Sequence, residues 1–205
     1  HLDLILDTSA SMALADSPKA QALHQLAALF TTAAANARCS HAVWVTGEGF
    51  QRVANDTQPP SAWGELPLGG ARSFEEAHGL LPPRLRRQGI RIVISDLFWP
   101  GDPLPTLRKL TEGAAAVTLV QLLAPSDLEP PKPGNVQLED SETGETLSLY
   151  IDTTIQEQYR KTLQRLQQSW DHAAQQTGAE LVTLIADNLQ GSLRSLEECR
   201  TLEPA

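Results

Sequence analysis

The chain has 205 residues, 41% of them hydrophobic and 20% charged, which is enough to build one sizeable core. Lys and Arg total 16 against 25 Asp and Glu, and the resulting formal charge of -9 argues against nucleic acid or an anionic membrane surface as partner. Cys39 and Cys199 are too few for a disulfide framework and lack metal-ligand spacing, and no apolar run approaches the roughly eighteen residues of a membrane span.

Leu2 to Leu6 is a short apolar run that ends in Asp7-Thr8-Ser9-Ala10-Ser11-Met12. One carboxylate and two hydroxyls at alternate positions deliver hard oxygen donors to a single point, the ligand class that a Mg²⁺-like ion takes. The same residue types satisfy free backbone donors at helix starts, so a plain capping turn is the competing reading. Pro18 then opens a helical pattern through Ala22, Leu23, Leu26, Ala27, Leu29 and Phe30. His41 to Thr46 reads as a second strand, and Gly47-Glu48-Gly49 as the turn into a third around Phe50 to Ala54.

Gly69-Gly70 breaks the chain before a helix beginning near Ser73, with Phe74, Ala77, Leu80 and Leu81 on one face. Its end is set by Pro82-Pro83, or by Gly89 if Pro82 only kinks it. Arg84, Arg86, Arg87 and Arg91 form the only dense basic stretch, at the end of that helix and running into a strand, and read as a solvated helix end, where cations complement the dipole. Ile90 to Ile94 is the strongest β-branched run and finishes in Ser95-Asp96, much as the first strand finishes in Asp7. Trp99 follows on the adjoining loop, either as an interface anchor or packed back over the sheet edge.

Pro103 to Leu110 reads as a short helix and Ala115 to Leu123 as another buried strand. Strands alternating with helices predict a doubly wound α/β fold, a mostly parallel sheet flanked by helices whose ligand sites lie at the carboxyl ends of the strands. Asp7 and Asp96 both fall at that edge. Beyond the proline-rich stretch Pro125 to Pro133, Val136 to Leu138 and Leu147 to Tyr150 predict an added β-hairpin near 135–150. Glu139, Asp140, Glu142 and Glu145 form its solvated tip. Thr153 or Thr154 caps a long helix carrying Ile155, Tyr159, Leu163, Leu166 and Trp170 and ending at Gly178. Leu181 to Ile185 is the last strand and Leu189 to Leu196 the last helix.

Residues 1–205 thus read as one domain. The opening at His1, without an initiator Met, predicts a piece of a longer protein. The piece itself is expected to be cytoplasmic and not to insert into a membrane, with any anchor carried by the upstream region.

The spacing of Asp7, Ser9 and Ser11 on a first strand, with Asp96 at the end of a later one, resembles the metal-ion-dependent adhesion site of von Willebrand factor A domains. Within that superfamily the chain is similar to the bacterial family of unknown function numbered fifty-eight. The segments that carry the similarity are LDTSASM with Lys19 following, VISD at Asp96, LLAPSDLEPP, and LEDSETGETL before the helix containing Tyr159. The resemblance implies a site for Mg²⁺, or for Mn²⁺ or Ca²⁺, with Ser9 and Ser11 as direct ligands and Asp7 and Asp96 acting through water. It also implies a loop Thr, where this chain aligns Arg72 with Ser73 beside it. A one-residue shift lets Ser73 supply the hydroxyl, whereas an inward Arg72 opposes the cation.

The function implied by the resemblance is a protein-interaction module in which a partner's Glu or Asp completes the metal shell. It further implies action with a MoxR-type AAA+ ATPase in assembling or activating other proteins. Arg72 and Trp99 are the expected partner-facing residues. The enzymatic alternative is a metal-dependent phosphatase or nuclease using Asp7 and Asp96. Haloacid-dehalogenase phosphatases need Asp-x-Asp where position 9 is Ser, and a two-metal nuclease needs more clustered carboxylates. No Gly-x-Ser-x-Gly elbow occurs, and no motif surrounds His24, His41, His78 or His172, so the chain is expected not to be an enzyme. A structural domain with a vestigial metal site is the remaining alternative.

Overall fold

The computed structural model describes every residue except 48, 55–57, 64, 71, 73, 100, 142, 199–200 and 202–205. Strand β1 (Leu2–Leu6) is buried at all five positions. A strand covered on both faces needs near-continuous apolar sequence, which is why this run does not alternate. It pairs in parallel with β2 (His41–Val45) on one side and β4 (Ile90–Ser95) on the other. Beyond β4 lie β5 (Ala116–Leu123) and β8 (Glu180–Ile185), both parallel, and the antiparallel β3 (Gln51–Ala54) closes the opposite edge. The order β3-β2-β1-β4-β5-β8 is doubly wound: the sheet grows outward in one direction from β1 through β2 and in the other from β4 through β5, with all four strands parallel. The loops that follow β1 and β4 diverge, leaving a crevice at the carboxyl edge.

Alternate side chains of the strands feed two apolar layers. Leu4 and Leu6 of β1 pack with Leu23, Leu26 and Phe30 of α1 (Lys19–Asn36) and Leu196 of α6 (Leu189–Glu198). Ile5 faces the other way, with Phe74 of α2 (Phe74–Leu80), Leu107 and Leu110 of α3 (Pro103–Thr111), and Trp170 of α5 (Thr153–Thr177). Complete burial of one such Leu or Phe side chain contributes about 1.5–3 kcal/mol, so this pair of layers supplies the main driving force.

The expected α/β class and the added hairpin are both present. The hairpin comprises β6 (Gly134–Glu139) and β7 (Thr146–Ile151), paired antiparallel as a separate two-stranded sheet. Leu147 and Tyr150 are both 61% exposed, whereas Ile151 at its end is buried. Of the acidic residues assigned to its tip, Glu139, Asp140 and Glu145 are exposed, and Glu142 lies outside the described residues.

Three local expectations are corrected. The cap of α5 is Asp152, whose carboxylate accepts the Ile155 amide at 2.9 Å; Thr153 and Thr154 already belong to the helix. Extended backbone at Asp152 aims its short side chain at the free amides of the first turn. At the other end Gly178, with φ 71°, closes the helix in the left-handed conformation as expected. Only Phe74 and Ala77 of α2 are buried, because the helix stops at Leu80 ahead of Pro82 and leaves Leu80 and Leu81 56% and 57% exposed. Arg91 is not part of a solvated helix end. It lies buried on β4, and its Nη1 donates to the Leu110 carbonyl at 2.6 Å, while Arg84, Arg86 and Arg87 remain exposed on the preceding loop.

Candidate cation and partner site

Asp7 leaves β1 at the crevice and is only 1% exposed. Four donors hold its carboxylate. Oδ1 accepts the Ser9 amide at 3.0 Å and Thr46 Oγ1 at 3.4 Å; Oδ2 accepts Ser95 Oγ at 2.5 Å and Trp99 Nε1 at 3.0 Å. Burial drives the Asp7 pKa upward, the nearby Asp96 charge adds to the rise, and the hydrogen bonds from Ser95, Ser9 and Trp99 oppose it.

The turn after Asp7 is locked from two sides. Thr8 donates its amide to Thr46 Oγ1 at 2.8 Å and its hydroxyl to the Thr46 carbonyl, tying the loop after β1 to the end of β2. On the opposite side the Gly69 and Gly70 amides both donate to the Thr8 carbonyl, and Ala10 donates to the Gly70 carbonyl. Gly69 makes this strap possible because its φ of 87° is unfavourable for a residue with a Cβ. Held in this way, the Ser9 and Ser11 hydroxyls hydrogen-bond to each other, their oxygens 3.2 Å apart.

Asp96 ends β4 on the same edge. Its Oδ1 accepts the Phe98 amide at 3.2 Å, and its Oδ2 accepts Lys19 Nζ at 2.9 Å. The same ammonium lies 3.1 Å from Asp127 Oδ2, on the single-turn helix α4 (Pro125–Leu128) that follows β5. Lys19 is 1% exposed. Burial alone lowers its pKa, but the charges of Asp96 and Asp127 and their hydrogen bonds outweigh it, so the net shift is upward and the ammonium stays charged. Asp127 Oδ2 also accepts the Ala124 amide at 2.9 Å, and Tyr159 on α5 donates to the Asp127 carbonyl at 2.9 Å.

Between Asp96 and Trp99 the backbone is strained. Leu97 takes φ 60°, a left-handed conformation costing a residue with a Cβ on the order of 1–3 kcal/mol. Ser95 Oγ accepts its amide at 2.9 Å and Trp170 Nε1 donates to its carbonyl at 2.9 Å, which stabilises the turn. That turn swings Trp99 inward, so the ring expected at a partner surface is 8% exposed. Its ring stacks on Phe74 at 4.1 Å between centroids and meets Trp170 edge-on at 4.9 Å. Of the two positions left open for Trp99, the inward one is adopted, and its polar edge positions Asp7.

The structure therefore brings Asp7, Ser9, Ser11 and Asp96 to one sheet edge, beside the strap leading to Arg72. Arg72 is partly exposed; Ser73, the other candidate for the loop hydroxyl, lies outside the described residues. Three participants carry no role in the sequence reading: Lys19, Asp127 and the indole N–H of Trp99. A signal for Lys19 exists, because a lysine at the first position of a helix opposes the helix dipole and calls for an acidic partner.

The hydroxyl pair fits a small hard cation. Oxygens at neighbouring positions of an octahedral shell with bonds of 2.0–2.1 Å stand about 3 Å apart. The carboxylates fit only as outer groups, since protein donors already hold both. Among the described residues no group of three or more His, Cys, Asp or Glu side chains is arranged to hold a metal. Nor, among them, is any helix long and apolar enough to cross a membrane.

The family model described as "Protein of unknown function DUF58" matches residues 2–169. An uncharacterized protein of Mycobacterium avium is 30% identical over 105 residues, which cover 50% of this chain and 60% of that protein. An uncharacterized protein of Mycobacterium tuberculosis is 28% identical over 102 residues, covering 50% of this chain and 32% of that one. The matched part thus spans less than two thirds of either relative. Among solved structures, the conserved hypothetical protein BatB from Bacteroides thetaiotaomicron aligns with a TM-score of 0.48 at 12% identity, covering 98% of both chains. A von Willebrand factor type A protein from Catenulispora acidiphila aligns with a TM-score of 0.43 at 16% identity, over 60% of this chain and 33% of that one.

Proposed function

The chain belongs to the DUF58 family, and from that premise we propose that it is a protein-interaction module whose contact point is the Ser9 and Ser11 hydroxyl pair, acting through a divalent cation. The observation that carries this reading is the 3.2 Å separation of the two hydroxyls, which suits neighbouring ligands of Mg²⁺ and is compatible with Mn²⁺ or Ca²⁺. Two neutral hydroxyls offer a cation little charge compensation. Asp7 and Asp96 add negative charge only from the outer positions in which their donors hold them. A Glu or Asp carboxylate from a partner completes the shell and supplies the missing charge, so cation and partner bind together.

Arg72, partly exposed near this edge, is the residue we expect to face a partner, whereas Trp99 acts from inside by fixing Asp7. A MoxR-type AAA+ ATPase is the partner we propose. Binding rather than phosphatase or nuclease chemistry is the better reading, because each oxygen of Asp7 already accepts two protein donors, which leaves that carboxylate poorly placed to act as a nucleophile.

A second reading is favoured by Lys19, whose ammonium already neutralises Asp96, as expected of a metal-free structural junction. A Mn²⁺ titration followed by water-proton relaxation, with and without acetate as a stand-in carboxylate, separates the two. The cation reading requires binding that acetate strengthens several-fold and that Ser9→Ala plus Ser11→Ala abolishes. Identical traces from wild type and the double variant would leave the metal-free junction.

A further inference from the structure

We propose that Lys19 is the residue that sets the cation affinity of this edge: its ammonium is a built-in counter-ion that withholds Asp96 from a divalent metal, so the metal binds well only when a partner contributes a carboxylate. The inference rests on the reading of Ser9 and Ser11 as cation ligands and assigns the control of that site to a residue outside it.

The geometry is that of a lysine serving two carboxylates. Nζ stands 2.9 Å from Asp96 Oδ2 and 3.1 Å from Asp127 Oδ2, and the side-chain exposures are 1% for Lys19, 2% for Asp96 and 15% for Asp127. Charges removed from water to this extent interact strongly and are screened little by salt. The Phe98 ring, with its centroid 5.7 Å from Nζ, adds a further contact that favours the cation. With its other oxygen held by the Phe98 amide, Asp96 presents little uncompensated charge toward the Ser9 and Ser11 hydroxyls.

The arrangement also has a location that suits control. Lys19 begins α1, directly after the loop that carries Ser9 and Ser11, and Asp127 lies on α4 at the end of β5. Tyr159 donates to the Asp127 carbonyl, and Gln156 Nε2 donates to the Pro131 carbonyl at 2.9 Å, so α5 anchors the segment that supplies the second carboxylate. Lys19 therefore ties the cation edge to α5 through one buried charge cluster.

Two variants test the assignment. Lys19→Met removes the ammonium but leaves two carboxylates facing each other, which can cost the fold. Lys19→Met with Asp127→Asn keeps the net charge of the cluster at the wild-type value of one negative, now carried by Asp96 alone. Both are titrated with Mn²⁺ as probe, without acetate, using calorimetry and water-proton relaxation, after near-ultraviolet circular dichroism confirms native packing of the double variant. We expect the double variant to bind Mn²⁺ at least fivefold more tightly than wild type, and Ser9→Ala plus Ser11→Ala in that background to remove the gain. A gain below fivefold, with wild-type binding still lost on Ser9→Ala plus Ser11→Ala, would overturn the role of Lys19 and leave the cation reading standing. Absence of Mn²⁺ binding in wild type and double variant alike would overturn both.

Discussion

Trp99 Nε1 donates to Asp7 Oδ2 at 3.0 Å, joining the loop after β4 to the end of β1 across 92 positions of sequence. The bond explains why a large aromatic at the functional edge is turned inward. It brings a neutral donor to a buried carboxylate whose pKa burial and Asp96 push upward.

Replacing Trp99 with Phe keeps the ring that stacks on Phe74 and deletes the donor. The expected loss is about 1.5–3 kcal/mol, the range for a hydrogen bond to a charged group, with some further loss from the smaller ring. Urea unfolding of Trp99→Phe, Asp7→Asn and the double variant isolates the pair. A coupling energy of at least about 1 kcal/mol is expected; additive losses would mean that the indole matters only for packing.

Lys19 makes a pH-dependent contribution whose sign is fixed by its upward shift from 10.5. A base whose folded pKa exceeds its unfolded value stabilises the fold fully below the unfolded value, and that stability disappears as pH rises through the folded value. Lys19→Met should cost about 3–5 kcal/mol near neutrality, since it strands two buried carboxylates. The gap between wild type and variant, followed by urea midpoints, should stay level up to about pH 10 and narrow above the ordinary lysine value. A gap that stays constant through pH 11.5 would show that Lys19 acts by packing alone.

Asp152→Ala should destabilise the domain by about 0.5–2 kcal/mol through loss of the α5 cap, whereas Thr153→Ala and Thr154→Ala should each stay within about 0.5 kcal/mol. Thermal unfolding of the three variants checks this. An equal loss at Thr153 would return the cap to the threonines.

The elements that frame the site are legible in sequence because burial on both faces leaves a plain signature. Leu2–Leu6, Ile90–Ser95 and Ala116–Leu123 are apolar almost throughout, and the first two end in acidic residues at the edge where an α/β sheet binds ligands. The charge cluster is less legible. Lys19 and Asp96 are 77 positions apart, and Asp127 reaches them only because α4 folds back after β5. Trp99 could not be oriented from sequence, since its direction depends on the left-handed turn at Leu97, a conformation that no local residue type announces. Asp152 was hidden by two adjacent threonines of similar capping ability, and the burial of Arg91 by three exposed arginines before it. Contacts between distant segments decide the charge cluster, Trp99 and Arg91, whereas at Asp152 the deciding contact is local, its carboxylate accepting the Ile155 amide.

The most direct test of a cation-dependent interaction module is a binding titration between this chain and a purified MoxR-type ATPase, the partner proposed above, run in Mg²⁺ and in chelator. Binding in Mg²⁺ is expected to weaken at least tenfold, about 1.4 kcal/mol, both in chelator and in Ser9→Ala plus Ser11→Ala. Equal affinity under all three conditions, or no binding in Mg²⁺, would contradict a cation-dependent interaction.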